Sequence, residues 1–335
     1  MELTDLWFIL IAVLWTGYFF LEGFDFGVGM LLHPLSRDEI DRRVMINTIG
    51  PVWDGNEVWL LTAGGATFAA FPNWYASLFS GFYLALFLIL IALIVRGVAF
   101  EYRGKVSSPR WKSNWDLMIA IGSWVPAVLW GVAFANIVHG VPIDQNGDFT
   151  GNLFTLITPY SLLGGATIAA LCAFHGANFL ALKTTGDIQQ RARTTSTVLG
   201  GVAIVLGASF LLWTQLDSGE GWTWIPLLLA AIGLVASVAA GRGDRDGWAF
   251  VGTGAAIAFA IVMLFGSLYP DVLPSTTDPA YSLTVENASS ADYTLKVMTV
   301  VALVMTPVVL MYQAWTYWIF RKRVGRHHIP TSAAH

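Results

Sequence analysis

Hydrophobic residues along the chain fall into nine long stretches separated by shorter polar segments. A helix needs about 20 mostly apolar residues to cross a bilayer. The pattern therefore predicts an all-α integral membrane protein in which nine transmembrane helices form a single transmembrane domain, residues 1–335. The predicted spans run approximately over 6–32, 51–71, 74–95, 115–138, 157–182, 195–216, 222–240, 247–268 and 295–320.

The second stretch is the shortest, because its continuous apolar part covers only 58–71. A segment of this length can also be re-entrant. Basic residues decide between the two readings, since Lys and Arg collect in cytoplasmic loops. All of the 18 basic residues except Lys296 lie after the first, third, fifth and seventh spans or in the C-terminal tail. The charge pattern therefore predicts that the second stretch crosses, with the N-terminus outside and the C-terminus inside.

Composition agrees with a membrane protein. The chain is 56% hydrophobic and 12% charged, whereas soluble domains are about 45–50% apolar and about 25% charged. These values exclude a soluble globular protein, a disordered chain and a nucleic-acid binder. The net charge of −4 indicates no anionic partner. With Cys172 as the only cysteine, an intrachain disulfide, a CxxCH haem attachment and a cysteine metal cluster are all excluded.

Two pairs of carboxylic acids lie inside the first two predicted spans. Glu22 and Asp25 are near the inner end of the first span, and Asp54 and Glu57 are at the inner start of the second. Each pair is spaced i, i+3 and so lies on one helix face. Ionisable residues in spans usually face a cavity or a partner and carry function. Carboxylates of this kind can pass protons inward from the cytoplasm.

Two other interpretations of these acids remain open at this stage. Arg96, Arg103 and Lys105 stand near the inner end of the third span and can neutralise the acids in a structural ion-pair cluster. The acids can also reach the membrane interface by extending their side chains. The segment 47–59 between them combines Gly, Pro and two Trp residues, which indicates backbone held inside protein or against a water-filled cavity.

Histidine offers little for a metal or a haem. Of the six histidines, only His175 lies well inside a predicted span. A bis-histidine haem needs two facing imidazoles, and no Glu-x-x-His motif of a di-metal site occurs. We therefore expect no metal and no cofactor to be bound by this chain alone, and we interpret His175 as a helix-contact residue rather than a haem ligand.

Several motifs resemble those of a known family. The two most specific are Gly-Phe-Asp-Phe-Gly-Val-Gly-Met at 23–30 and Trp-Asp-Gly-Asn-Glu-Val-Trp-Leu at 53–60. Further matching segments are 42–47, 62–66, 79–83, 131–134, 274–277, 294–298 and 314–318. With these motifs, spread from the first span to the last, the chain resembles subunit II of cytochrome bd-type quinol oxidases, the terminal oxidases of bacterial respiration.

The resemblance implies a fold and a function. The family's complex oxidises quinol, reduces O2 to water and generates proton motive force by taking up protons from the cytoplasm, without pumping. Subunit I, the obligate partner, carries the quinol site with haem b558, haem b595 and haem d. Subunit II is expected to form two four-helix bundles plus one peripheral helix in the bacterial cytoplasmic membrane.

The resemblance also implies roles for particular residues. Asp25 and Asp54 match the acids of the proton path, with Glu101 and Lys105 near its mouth. Trp59 matches the residue near a proposed O2 entrance.

Some positions depart from the family pattern. Glu22 and Glu101 stand where relatives can have aspartate, and Glu57 stands where some carry glutamine, which adds an acid to the path. The outer loop at 217–221 is short, so whether this subunit holds a structural quinone stays open, as does the presence of small accessory subunits. A proton-coupled transporter is the competing class, but the inverted repeats typical of transporters are not evident in the sequence.

Overall fold

The structure is a computed structural model, which describes residues 2–330, and it is mostly helical. Eleven α-helices occur in this part of the chain, joined by short 3-10 turns and one two-stranded hairpin. The helices are α1 (Leu3–Leu35), α2 (Glu39–Ile49), α3 (Trp53–Ala70), α4 (Pro72–Gly81), α5 (Tyr83–Tyr102), α6 (Pro109–His139), α7 (Pro159–Lys183), α8 (Asp187–Ser218), α9 (Trp224–Arg242), α10 (Asp246–Leu268) and α11 (Asp292–Ile319). The strands are β1 (Asp271–Leu273) and β2 (Leu283–Thr284).

Eight helices within residues 2–330 are long and apolar enough to cross a membrane: α1 and α5 to α11. Each coincides with one of the predicted spans. The second predicted span corresponds to α3, which is not among the eight. This helix has only 18 residues, and it carries two acids, Asp54 and Glu57, together with three glycines. The prediction of nine crossings therefore depends on α3.

The third predicted span consists of two helices. Pro72 begins α4, and α5 follows after a bend at Phe82, whose backbone lies at φ −98° and ψ 15°. Helix α5 then continues to Tyr102, seven residues beyond the predicted end of the span. Arg96 is consequently inside a helix and buried, not in the following loop as the span boundaries predicted. A charged side chain can occupy this position because an acid faces it.

Helix α1 lies at the centre of the molecule and packs against α3, α6, α7 and α10. Its close contact with α7 depends on glycine. A side-chain carbon added at Gly27 would lie 2.0 Å from the backbone oxygen of Cys172, so only glycine fits. Helices α6 and α7 approach in the same way at Gly131 and Gly164. Small residues allow such backbone contacts between membrane helices. The C-terminal half of α1 is consequently buried on all sides.

Helix α11 is peripheral. Its side chains are mostly exposed, and Leu295 is its only buried residue. Near the N-terminal end of α11, the indole nitrogen of Trp7 donates hydrogen bonds to the backbone oxygen of Leu295 at 3.3 Å and to the hydroxyl of Thr299 at 3.1 Å. Apolar packing therefore contributes little to the position of α11, and polar contacts hold it.

The C-terminal tail, 320–330, folds back onto the start of α2, the end of α7 and the start of α10. Arg326 pairs with Asp38 at 2.6 Å and also with Asp41. Arg323 pairs with Asp246 at 3.1 Å. We call these three ion pairs the tail clamp. They fasten the segment that follows α11 to the loop before α2 and to the start of α10.

Candidate functional site

Two carboxylic acids lie fully buried on the C-terminal half of α1. Glu22 and Asp25 both have 0% of their surface exposed, and we call them the α1 acid pair. The Glu22 carboxylate forms an ion pair with Arg96 of α5, which is also buried. The Arg96 guanidinium lies between two aromatic rings, 4.9 Å from the centroid of Phe26 and 5.3 Å from that of Phe100.

The charges of this cluster do not balance when both acids are ionised. Within residues 2–330, Asp25 has no ion-pair partner, and Arg96 pairs only with Glu22. One oxygen of each acid, Oε2 of Glu22 and Oδ1 of Asp25, also makes no hydrogen bond to the described part of the chain. Because an uncompensated buried charge is costly, the cluster is suited to hold a proton.

Asn56 is the residue of α3 that reaches Asp25. It is fully buried, and its amide nitrogen donates to Oδ2 of Asp25 at 2.6 Å and to the backbone oxygen of Leu21 at 3.5 Å. Its amide oxygen accepts from the hydroxyl of Tyr317 at 2.7 Å and from the amide of Gln313 at 3.4 Å. All the hydrogen bonds that an asparagine amide can make are therefore in place, and they join α1, α3 and α11.

Trp59 lies on the same face of α3, one turn further along. Its indole nitrogen donates to Oε1 of Gln313 at 2.9 Å. Its ring lies against α1 where Gly17 leaves room, since a side-chain carbon at Gly17 would come within 2.1 Å of the ring. Trp59 is thus a half-buried contact between α1, α3 and α11.

The other predicted acids lie at the margin of this cluster. Asp54 is exposed at the start of α3, where its carboxylate accepts a hydrogen bond from the backbone nitrogen of Gly55 at 2.8 Å. Glu57 is half-buried. Neither acid bonds to Asp25 within residues 2–330. The structure therefore brings Asp25 and Asp54 to neighbouring helices without direct contact.

Glu101 and Lys105 are both exposed, near the C-terminal end of α5. Arg96, Arg103 and Lys105 were the cations expected to neutralise the buried acids, and only one of them does so. Arg96 takes that role, whereas Arg103 pairs with Asp116 at 2.5 Å and with Glu39 at 2.8 Å. Lys105 forms no ion pair in the described part of the chain.

His175 is the only buried histidine among residues 2–330. Its Nδ1 is hydrogen-bonded to the hydroxyl of Thr253 at 2.6 Å, and its Nε2 to the backbone oxygen of Phe20 at 3.1 Å. The imidazole stacks on Phe250 with ring centroids 4.4 Å apart. Both ring nitrogens are engaged, so the position does not fit a haem ligand.

A cavity of about 520 Å³ opens between α1, α3, α4, α5, α6 and α10. Its walls are aromatic and aliphatic, and they include Trp15, Leu60, Phe87 and Trp130. Trp59 is not one of the lining residues, although the adjacent Leu60 is. The cavity is suited to apolar molecules and offers few hydrogen-bonding groups.

The fold and the site define a class of protein: a multi-pass helical membrane protein with a carboxylate cluster buried beside its central helix. The family model for cytochrome bd terminal oxidase subunit II matches residues 3–320. The chain belongs to this family, which makes it a bacterial cytoplasmic-membrane protein. The predicted resemblance is confirmed.

Relatives of known name agree with the family. The chain is 48% identical over 329 residues to cytochrome bd ubiquinol oxidase subunit 2 of Bacillus subtilis, with 97% of each chain covered. It is 38% identical over 362 residues to cytochrome bd-I ubiquinol oxidase subunit 2 of Escherichia coli K12, covering 97% of this chain and 96% of the relative. A chain in the structure of bd oxidase from Geobacillus thermodenitrificans matches the fold with a TM-score of 0.78 at 17% identity, covering 96% of this chain and 100% of that chain.

Sequence reasoning missed three residues of the cluster. Asn56 belongs to the family motif at 53–60, but the motif alone indicated no role for it. Gln313 and Tyr317 are polar residues spaced i, i+4 in the last predicted span. This spacing puts them on one helix face, and a polar face in a lipid-facing helix was the signal that could have found them.

Proposed function

We propose that this chain is the non-haem subunit II of a bd-type terminal oxidase that oxidises quinol and reduces O2 to water. Its family membership and its relatives, named as subunits of ubiquinol oxidases, support this proposal. In the proposed complex, subunit I is the obligate partner and carries the quinol site with haem b558, haem b595 and haem d. The engaged nitrogens of His175 are consistent with haem ligation by the partner.

The role we propose for this chain is to supply protons from the cytoplasm. The observation that carries it is the α1 acid pair: two fully buried carboxylates beside a single buried arginine, Arg96, which pairs with Glu22 and leaves Asp25 without a cation. When one of the two carboxyls is protonated, the single remaining negative charge balances the positive charge of Arg96. When that proton is released for the reduction of O2, the cluster again carries one excess negative charge. A buried group that alternates between these states is what proton transfer requires.

The other predicted residues of the proton path become more buried toward this pair, as expected for a route that leads into it. Glu101 and Lys105 are exposed near the end of α5, Asp54 is exposed at the start of α3, and Glu57 is half-buried one turn later. Asp25 comes next, fully buried. In the proposed path, protons enter at the exposed groups, pass Glu57 and reach the α1 acid pair before they cross to subunit I.

This route makes the reaction electrogenic without a pump. Reducing one O2 to water consumes four protons and four electrons. When the protons come from the cytoplasm and quinol releases its own protons outside, charge separates across the membrane. The proposal therefore requires nine crossings, an outer N-terminus and an inner C-terminus, which the basic loops support. The exposed α11 fits the peripheral helix beside two four-helix bundles.

The apolar cavity supports a second role, access of O2. O2 is small and apolar, and the aromatic and aliphatic walls offer it a path through the membrane region. Trp59 lies next to the lining residue Leu60, so it borders this path without forming its wall. A quinone held structurally is the competing occupant of the same cavity.

An absorbance spectrum of the purified assembly tests the oxidase against a proton-coupled transporter. We expect a co-purifying larger subunit and the long-wavelength red absorption of haem d. A colourless protein that purifies without a partner would overturn the proposal. The discriminating control is the same preparation after the partner subunit's gene is deleted, which should lose the red band.

A further inference from the structure

A continuous chain of hydrogen bonds runs from Trp59 to Asp25 through three helices. The indole of Trp59 donates to Oε1 of Gln313 at 2.9 Å. The amide nitrogen of Gln313 donates to Oδ1 of Asn56 at 3.4 Å. The amide nitrogen of Asn56 donates to Oδ2 of Asp25 at 2.6 Å. Tyr317 joins the chain at Asn56, because its hydroxyl donates to the same Oδ1 at 2.7 Å.

The direction of this chain is fixed by its first member. An indole nitrogen can only donate a hydrogen bond, so Gln313 must turn its amide oxygen to Trp59 and its nitrogen to Asn56. The Asn56 oxygen is then held by Gln313 and by the Tyr317 hydroxyl. Asn56 is left with its nitrogen facing Asp25. Without these partners, only the longer contact to the backbone oxygen of Leu21, at 3.5 Å, would favour this orientation of the Asn56 amide.

We propose that Trp59, Gln313 and Tyr317 are positioning residues that act on Asp25 through Asn56. They keep the amide of Asn56 turned with its donor toward the carboxyl, which fixes the orientation of that carboxyl for proton transfer. This inference rests on the proposed function of Asp25 in the proton path. It assigns to Trp59 and to α11 a part in proton chemistry, separate from the access of O2.

The structure of α11 supports this role. Gln313 and Tyr317 are half-buried, as is Thr316 between them, whereas the other residues around them on the same helix are exposed. Tyr312 and Trp315 have 67% and 60% of their surface exposed. Only the face that carries the two polar residues is turned toward α3. Since lipid gives no hydrophobic drive for packing between helices, the hydrogen bonds to Asn56 set the register of α11 against the acid site.

The test compares Tyr317→Phe and Trp59→Phe with two matched controls on α11, Tyr312→Phe and Trp315→Phe. Each variant loses one hydrogen-bonding group and keeps an aromatic ring, and the Trp59→Phe variant has a control with the same loss of ring size. In the purified complex labelled with 13C-aspartate, the infrared band of Asp25 is assigned by its loss in Asp25→Asn. We expect this band to shift in Tyr317→Phe and Trp59→Phe, but to stay in place in both controls.

Turnover per haem d gives the second readout. A hydrogen bond is worth about 1 kcal/mol, so we expect Tyr317→Phe and Trp59→Phe each to slow O2 reduction roughly fivefold. In the Asp25→Asn background the same substitutions should add no further loss, because their effect passes through that carboxyl. Where Trp59→Phe does not assemble, Gln313→Met breaks the same chain and takes its place.

The outcomes separate the two proposals. If Asp25→Asn turns over normally while the band shifts in Tyr317→Phe, Asp25 is positioned as inferred but is not in the proton path. If Asp25→Asn is slow while Tyr317→Phe and Trp59→Phe match their controls in band and turnover, the proton path stands and the positioning inference is overturned. Equal losses in the wild-type and Asp25→Asn backgrounds would also overturn it.

Discussion

Glu22 of α1 and Arg96 of α5 form an ion pair in which both side chains are buried. The pair joins two helices that the sequence separates by a long distance, and it explains how an arginine can lie inside a membrane helix. It also determines the state of its neighbour Asp25. Because Arg96 is committed to Glu22, the carboxyl of Asp25 depends on the amide of Asn56 and on protonation. Glu22 is therefore expected to serve mainly in stability, and Asp25 mainly in proton transfer.

Asp25→Asn should slow O2 reduction on the order of 10²-fold while quinol binding and haem content are kept, because an amide cannot carry the proton. The exchange is nearly isosteric and keeps an acceptor for Asn56. Asp54→Asn should slow turnover less, since Asp54 is exposed and Glu57 is close by. Oxygen consumption per haem d measures both. Loss of assembly in these variants would favour a structural role, and normal turnover with full haem would contradict both roles.

Arg96→Leu should destabilise the complex, since it leaves Glu22 buried and unpaired. Removing one partner of a buried ion pair typically costs about 3–5 kcal/mol. The double variant Glu22→Leu with Arg96→Leu should recover much of this loss, because it removes both charges together. Thermal unfolding of the purified complex measures the effect. Arg110→Leu is the control, since Arg110 is exposed and forms no ion pair within residues 2–330. Similar stability in Arg96→Leu and in this control would refute the prediction.

Trp59→Ala should change the apparent affinity for O2 more than it changes quinol oxidation with an artificial acceptor. The indole borders the wall of the apolar cavity at Leu60, and its loss alters that wall. Steady-state kinetics at varied O2 measure the first effect. Trp59→Phe keeps most of the ring and should leave the affinity for O2 near its normal value. Equal damage to both activities in Trp59→Ala would instead indicate that the residue serves in packing.

The tail clamp should open in acid. The side-chain hydrogen bond from Arg326, with one from the backbone nitrogen of Asp41, lowers the pKa of Asp38 below its usual value. Asp38 therefore stabilises the docked tail above the ordinary aspartate pKa of about 3.9, and this contribution is lost as the pH falls through the lowered pKa. Hydrogen exchange at the amide of Val324, which donates to the backbone oxygen of Lys183 at 2.7 Å, measures docking.

Protection of that amide should therefore be constant near neutral pH and fall in strong acid. In Arg326→Ala it should already be reduced at neutral pH, because the contacts of Arg326 with Asp38 and Asp41 are lost, although Asp41 keeps its ion pair with Arg191. Arg110→Ala is the matched control. A protection factor for Val324 that does not respond to acid or to Arg326→Ala would show that backbone contacts alone hold the tail.

Reporter fusions should place both ends of α3 on opposite sides of the membrane. We expect fusions after Arg43 and after Lys112 to report the cytoplasm, because both follow inner loops rich in basic residues. A fusion after Asn73, in the first turn of α4, should report the outside. A periplasmic signal after Arg43, or a cytoplasmic signal after Asn73, would make α3 a re-entrant segment.

Most of the helices could be predicted because a bilayer imposes one length and one polarity on every span. The prediction was less accurate where local chemistry interrupts that rule. Helix α3 is short and carries acids, so hydropathy alone does not classify it. The end of α5 was placed too early because Arg96 was read as a loop residue, and only the facing Glu22 shows otherwise.

The buried acids could also be found from sequence, since charge inside a span is rare. Arg96 was among the candidate cations that the sequence offered, but the hydrogen-bonding partners around Asp25 were not predicted. Asn56 bonds to residues that are distant in the sequence, Asp25 before it and Tyr317 far after it, and no spacing rule connects them. Likewise, the exposure of Asp54 depends on how α3 turns against α1, because its neighbour Asn56 takes the position that faces Asp25.

The polar attachment of α11 has a consequence for how this helix tolerates mutation. Most of its side chains are exposed within residues 2–330, so exchange of one apolar residue for another at these positions should cost little. Gln313 and Tyr317 differ, since each must match both the shape and the donor or acceptor character of Asn56. Tolerance along α11 should therefore be periodic: wide on the outer faces, and restricted at the one stripe where a change needs a compensating change on α3.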